Sequence, residues 1–102
     1  MGKSRTIRLT TDKIKVILNL FEHINGRGSS NSLDIKVFVT NKNSLSALAV
    51  ASREYLIALD IKLKNEIRNE TEFNEVKNLI TIVSADLKLV ENILKYDEIL
   101  VN

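Results

Sequence analysis

The sequence contains no cysteine, no proline and no tryptophan, and only three phenylalanines and two tyrosines. Without cysteine the chain forms no disulfide bond and offers no thiolate ligand to a metal. With so few rings, a base-stacking platform for single-stranded nucleic acid is not expected. The basic N-terminus has no apolar stretch behind it, and no apolar run reaches the length of a bilayer span. We therefore expect no signal peptide, no membrane association, and an intracellular, cytoplasmic location.

The residues that carry chemistry are also scarce. His23 is the only histidine, so a common zinc site cannot be assembled around it. The loop at residues 26–30 contains two glycines and an arginine but matches neither of the common phosphate-binding motifs. We therefore expect a protein that is not an enzyme and has no cofactor, no metal and no small-molecule ligand.

Length and charge indicate the organisation of the chain. At 102 residues we expect a single domain over residues 1–102. Residues 1–42 hold eight basic and three acidic side chains, a net charge of +5. Residues 43–102 hold seven basic and ten acidic side chains, a net charge of −3. The basic first part could face a polyanion.

The first part is predicted to have a β-α-β order. Residues 4–10 alternate, with Ile7 and Leu9 on one side, which predicts a short strand. Residues 12–24 place apolar side chains at helical spacing, and Gly26 would end that helix. Residues 33–40 alternate again and are predicted to form a second strand.

The second part is predicted to be a long antiparallel helical hairpin, which makes the fold class α+β. Its first helix would begin with Ser44 as N-cap and its second with Thr71 as N-cap, on either side of a turn at residues 69–71. A competing pattern exists at residues 55–64, where Ile57, Leu59, Ile61 and Leu63 recur at every second position as in a strand. The absence of a turn-forming residue before this segment favours helix, and the strand remains the alternative.

The last helix carries a strict apolar repeat typical of a coiled coil. A helix of this length is long for so small a domain, and it favours a partner along it. We therefore predict a homodimer that uses this helix, the strands, or both. The predicted interface residues are Phe73, Val76, Ile80, Val83, Leu87, Val90 and Leu94.

The N-terminal strand and helix, residues 5–9 and then 12–24, resemble the first half of a ribbon-helix-helix repressor. In that family strands from two chains pair and enter the major groove of DNA. The resemblance implies that Thr6 and Arg8 face the bases, with Ser4 at the edge. The family has a second helix after the glycine turn, where this sequence predicts a strand. The candidate nucleic-acid-binding residues are Lys3, Arg5, Thr6, Arg8 and Arg27.

The whole chain also resembles the small orphan proteins encoded by archaeal filamentous viruses. The resemblance lies in its length, in its richness in isoleucine, leucine, lysine and asparagine, and in its lack of cysteine, tryptophan and proline. It implies no particular activity, and it would place the protein in the host cytoplasm.

Two functions follow as predictions. The first is a small oligomeric structural or protein-interaction module without catalytic activity, which rests on the long apolar helices. The alternative is a nucleic-acid-binding protein, in one form a DNA-binding regulator, which would use its basic N-terminal strand.

Overall fold

The structure, a computed structural model, describes residues 4–102. These residues form a mostly helical protein with one short two-stranded sheet. In chain order the elements are β1 (Thr6–Leu9), α1 (Thr11–Asn25), a 3₁₀ turn (Ser29–Ser32), α2 (Ile35–Thr40), α3 (Lys42–Asn65), α4 (Glu70–Ile93) and β2 (Glu98–Val101). The predicted α+β fold is confirmed in part: the chain is mostly helical with two short strands, but these are parallel, and one of them lies at the C-terminal end and not in the first part.

The sheet joins the two ends of the chain. β1 and β2 run parallel, with Ile7 opposite Ile99 and Leu9 opposite Val101. The side chains of Ile7, Leu9 and Ile99 are buried, while Arg8 is exposed. The predicted first strand is therefore confirmed. Its partner is not the following segment but the last strand of the chain, where we predicted none.

Helix α1 forms as its sequence predicts. The backbone N–H of Lys13 donates to the hydroxyl of Thr10, which satisfies one of the free donors at the start of the helix. Gly26, with φ of +107°, ends the helix in a conformation that side chains rarely adopt. Ile17 and Leu20 are fully buried on the inner face.

Residues 33–40 do not form the predicted strand, because residues 35–40 form the short helix α2. The side chain of Asp34 caps this helix by accepting from the N–H of Val37 at 3.3 Å. The ring of Phe38 packs edge-on against Phe21 of α1, with ring centres 5.4 Å apart. Val37, which a strand would have placed with the other apolar residues, is 61% exposed.

Helices α3 and α4 form two long rods joined by a short turn at residues 66–69. α3 continues unbroken to Asn65, so the strand alternative for residues 55–64 is wrong. The N-caps lie a few residues earlier than predicted. Asn41 caps α3 in place of Ser44, and Asn69 caps α4 in place of Thr71. In both cases the amide oxygen of the asparagine accepts from backbone N–H groups in the first turn.

Two ion pairs show how the long helices lie against each other. Close to the turn, Lys62 Nζ lies 3.9 Å from Glu72 Oε1. Farther from the turn, Arg53 Nη2 lies 3.1 Å from Glu91 Oε2. The chain therefore reverses direction between α3 and α4. Both pairs are solvent-exposed, so each contributes about 0.2–1 kcal/mol at most, and the apolar contacts between the helices dominate their packing.

One apolar cluster includes residues from all four helices and both strands. Its fully buried members are Leu9, Ile17, Leu20, Val39, Leu45, Val83, Val90 and Ile93. Ser52 is the one buried polar residue among those described, and its hydroxyl donates to the carbonyl of Leu48 at 2.7 Å. The hydroxyl therefore has a hydrogen-bond partner within its own helix and does not place an unsatisfied polar group in the core.

Candidate interaction surfaces

The basic N-terminal strand meets acidic residues from the end of the chain. The backbone N–H of Arg5 donates to Asp97 Oδ2 at 2.7 Å, and the carbonyl of Arg5 accepts from the N–H groups of Asp97 and Glu98. The hydroxyl of Thr6 donates to Glu98 Oε1 at 3.3 Å. Two carboxylates thus lie beside two of the predicted nucleic-acid-binding residues and lower the positive potential there.

The side chain of Arg5 is also engaged within the chain. Its guanidinium carbon lies 4.6 Å from the centre of the Tyr96 ring, within the range of a cation–π interaction. Lys42 Nζ donates to the carbonyl of Tyr96 at 2.6 Å. Both basic groups therefore hold the last turn before β2 in place. Arg8, by contrast, is exposed on the outer side of β1 and has no ion-pair partner among residues 4–102.

The remaining predicted nucleic-acid-binding residues are not gathered at this strand. Arg27 follows the C-terminal end of α1, whereas Arg8 precedes its N-terminal end, so a helix about 22 Å long separates them. Lys3 lies outside the described residues. The structure therefore brings Arg5, Thr6 and Arg8 together and leaves Arg27 at the far end of the molecule's first helix.

Arg27 instead lines a shallow depression of about 410 Å³ together with Asn19, Glu22, His23 and Gly26. The hydroxyl of Ser30 donates to Glu22 at 2.5 Å and so ties the 3₁₀ turn to α1. The depression holds one acid, one histidine and one arginine. No group of three or more potential metal ligands occurs anywhere in residues 4–102.

His23 lies near an acidic side chain of α4. Burial raises the pKa of the Asp86 carboxyl above its usual value, and the positive charge of a protonated His23 works in the opposite direction and lowers it. Burial is the larger of the two causes, so the net direction is upward. The carboxylate of Asp86 makes no hydrogen bond to another side chain or to the backbone in the described part of the chain.

The apolar seam predicted to bind a second copy is largely used inside the chain. Val76, Val83, Leu87 and Val90 are buried, the last three in the common apolar cluster. In this fold a second copy cannot reach these four residues unless α4 separates from its neighbours. Phe73 is the one exposed member of the seam, and Ile80 and Leu94 are half-buried. The homodimer itself stays a prediction.

A different apolar face is left open on α3. Val50, Ile57 and Ile61 are 49%, 61% and 52% exposed, and at spacings of seven and four residues they lie on one side of the helix. Leu59 and Leu63 lie on the opposite side of α3, towards the interior. The sequence did contain a signal for this face. The alternation in residues 55–64 that suggested a strand arises because Leu59 and Leu63 face inward on the helix, while Ile57 and Ile61 face outward.

A shallow apolar groove of about 340 Å³ lies beside this helix, on a different side. Its lining residues are Phe21, Asn25, Phe38, Ser44, Ala47, Leu48 and Ala51. It lies where α1, α2 and the start of α3 meet. The edge-on ring pair of Phe21 and Phe38 is part of its lining.

The fold agrees with one feature of ribbon-helix-helix repressors and differs in another. A helix follows the glycine turn, as it does in that family. The strand, however, pairs in parallel with β2 of the same chain. In this conformation β1 is part of an intrachain sheet.

Every helix in residues 4–102 is too short or too polar to serve as a membrane span. Comparisons with protein-family models, with curated proteins and with solved structures gave no match.

Proposed function

We propose that this protein is a small oligomeric structural or protein-interaction module that acts by binding and not by catalysis. The observation that carries the proposal is the apolar outer face of α3. Val50, Ile57 and Ile61 expose about half or more of their surface on one side of a helix whose other side already packs in the core. Single exposed apolar residues are normal, but several on one helix face mark an interaction surface.

The charge distribution around β1 supports this proposal over nucleic-acid binding. Asp97 and Glu98 lie beside Arg5 and Thr6, and Arg5 is held over Tyr96. A phosphate backbone approaching this strand would meet two carboxylates as well as the arginines. An electrostatic site for DNA gains affinity from uncompensated basic groups, and here one of the two arginines has an intrachain partner.

The proposal is tested by measuring the mass of the full chain in solution. Light scattering coupled to size exclusion, and sedimentation equilibrium up to about 1 mM chain, would follow self-association directly. We expect the weight-average mass to rise with concentration towards that of a dimer. A mass that stays at 11.5 kDa throughout would contradict oligomerisation.

Nucleic-acid binding remains the second candidate, because Arg8 and Thr6 are exposed on the outer side of β1. We would titrate a labelled short DNA duplex with the full chain at low salt and follow its anisotropy. If phosphates are the ligand, affinity falls steeply with salt, and Arg8→Ala weakens binding and reduces the salt slope by about one. Lys88→Ala, at an exposed position on α4, is the matched control. No binding at low salt, or equal effects of the two variants, would reject this candidate.

A further inference from the structure

We propose that the outer face of α3 is a homodimer interface in which two copies of α3 pair antiparallel, with Ile57 of each copy opposite Ile61 of the other. This rests on the proposed function, which it makes specific by naming the partner, the surface and the register. The face is open in the structure, since α4, α1 and α2 all pack on other sides of α3.

The outward residues of α3 follow the spacing of a two-stranded helical pair. Val50, Glu54, Ile57, Ile61 and Lys64 are separated by steps of four, three, four and three residues. Such alternating steps place side chains in one narrow seam along a helix, as in a coiled coil. The two isoleucines occupy the centre of the seam, and one acid and one base lie on either side of them.

The charges in this seam select the direction of pairing. When two copies run antiparallel with Ile57 opposite Ile61, the same register places Glu54 of each copy opposite Lys64 of the other. Two opposite-charge pairs then flank the apolar centre, one at each end. A parallel pair would place Glu54 against Glu54 and Lys64 against Lys64, and juxtaposed like charges cost affinity.

The charges also select the register. Shifting the antiparallel pair so that Val50 meets Ile61 would place Glu54 against Ile57, which buries a carboxylate without a partner. Burying an unpaired charge is costly, so this register is disfavoured. The arrangement with Ile57 opposite Ile61 joins the isoleucines and pairs both charges at once, and it leaves Val50 of each copy opposite position 68, beyond the end of α3.

The surroundings of Lys64 fit this arrangement. Its Nζ lies 3.0 Å from Asp60 Oδ2 in the same helix, so the lysine is held beside the seam. In the dimer the two Asp60 carboxylates come to one flank near the two-fold axis, where their like charges oppose association. Each keeps its own Lys64 beside it, and that lysine then lies between Asp60 of its own copy and Glu54 of the other.

The seam is short, so the dimer is expected to be weak. The paired part of the seam, from Glu54 to Lys64, spans about 15 Å of helix at 1.5 Å per residue. A patch of this length buries less than the roughly 1,200 Å² of the smallest stable interfaces. We expect a dissociation constant on the order of 10–1,000 μM, within reach of sedimentation equilibrium.

The apolar centre is tested with two matched variants. Ile57 and Val37 are equally exposed, at 61%, but Val37 lies on α2 outside the proposed seam. We expect Ile57→Lys to weaken self-association by about 100-fold, because two isoleucines are lost per dimer at the centre of the interface. Val37→Lys should leave it unchanged. Equal effects of the two substitutions, or no effect of Ile57→Lys, would overturn the proposal.

The register is tested by exchanging charges between chains. Glu54→Lys alone and Lys64→Glu alone each bring like charges together, so each variant should self-associate about tenfold or more weakly than the unmodified chain. An equimolar mixture of the two variants restores opposite charges at both ends. We expect the mixture to form heterodimers with at least the affinity of the unmodified chain. A mixture that associates no better than its components would overturn the register.

These outcomes separate this proposal from the one on which it rests. If the unmodified chain stays monomeric at every concentration, oligomerisation itself is rejected together with this interface. If the unmodified chain self-associates but the variants of Glu54, Ile57 and Lys64 behave like it, the protein is oligomeric and the interface lies elsewhere. Far-UV circular dichroism of each variant shows that its helices remain folded, so that lost association is not lost structure.

Discussion

The guanidinium of Arg5 lies over the ring of Tyr96, with 4.6 Å between the guanidinium carbon and the ring centre. This contact joins the residue before β1 to the turn before β2, beside the hydrogen bond from the Arg5 N–H to Asp97. The two ends of the chain therefore fold as one unit, although each strand has only four residues. A two-stranded sheet is marginal by itself, so these contacts and the helices beneath stabilise it.

The contact predicts energetic coupling between Arg5 and Tyr96. Arg5→Ala and Tyr96→Ala should each lower the free energy of unfolding, and a double-mutant cycle should give a coupling of about 0.5–1 kcal/mol, the usual range for an exposed cation–π pair. Urea unfolding followed by circular dichroism measures all four proteins. Tyr96→Phe keeps the ring and should retain most of the coupling. Additive effects of the two alanine substitutions would show that the contact contributes nothing.

The last strand is expected to be essential for stability. Ile99 is buried and pairs with Ile7, so Ile99→Ala leaves a cavity next to β1 and should cost about 2–4 kcal/mol. Lys95→Ala is the control, since Lys95 is exposed just before β2 and should change stability by about 0.5 kcal/mol or less. Thermal unfolding of the three proteins tests this. Equal melting temperatures would mean that β2 is not part of the folded core.

The helices with strong 3.6-residue patterns could be predicted from the sequence, whereas residues 33–40 could not. Ile35, Val37 and Val39 alternate like a strand and are β-branched. The same segment also has helical spacing in Ile35, Phe38 and Val39, so the local pattern is ambiguous. The cap from Asp34 is a local signal for helix, and the contact between Phe38 and Phe21, which exists only in the folded chain, supports the same conformation.

The pairing of β1 with β2 could not be predicted, because the partners are at opposite ends of the chain. Residues 98–101 are too few to show a clear period of two, and no local signal indicates parallel pairing with Ile7 and Leu9. The acidic residues beside the basic strand could not be predicted for the same reason, because they too are distant from it in the sequence. Asp97 and Glu98 belong to the negatively charged second part by sequence, yet they lie beside Arg5 in the fold.

The seam of α4 was visible in the sequence, but its partner was not. A repeat of apolar residues shows that a helix buries one face, and it does not say whether the covering surface is in the same chain. Here α3 and α1 provide that cover for Val83, Leu87 and Val90. The open face is the outer side of α3, where Ile57 and Ile61 lie among charged residues. The apolar repeat there is weaker than the repeat of α4.

The start of α4 gives a local test of helix stability. Asn69 Oδ1 accepts from the N–H of Glu72 at 2.8 Å, so Asn69→Ala leaves that donor without its partner and should cost about 1 kcal/mol. Asn69→Asp keeps an acceptor and should be close to neutral. Asn74→Ala, at an exposed position inside the same helix, should be neutral or slightly stabilising, because alanine favours helix. A loss of stability as large for Asn74→Ala as for Asn69→Ala would contradict the capping role.

The last prediction concerns Asp86 and pH. Burial raises the pKa of this carboxyl in the folded chain, and His23 offsets the shift only in part. The folded state therefore holds the proton more tightly than the unfolded state does. The contribution of Asp86 to stability is fully present below the pKa that its carboxyl has in the unfolded chain. It is lost as the pH rises through the higher pKa of the folded chain, because the ionised carboxylate is then buried at a cost.

Asp86→Asn removes this titration and should raise the free energy of unfolding near pH 7 relative to the unmodified chain. The difference should shrink as the pH falls and vanish at about pH 3, where the carboxyl is protonated in both states. Glu75→Gln, the same acid-to-amide change at an exposed position on the same helix, is the control. Urea unfolding at a series of pH values distinguishes the two variants. A gain from Asp86→Asn that is independent of pH would mean that the amide improves packing and that ionisation of Asp86 is not the cause, because only the ionised carboxylate carries a cost that disappears on protonation.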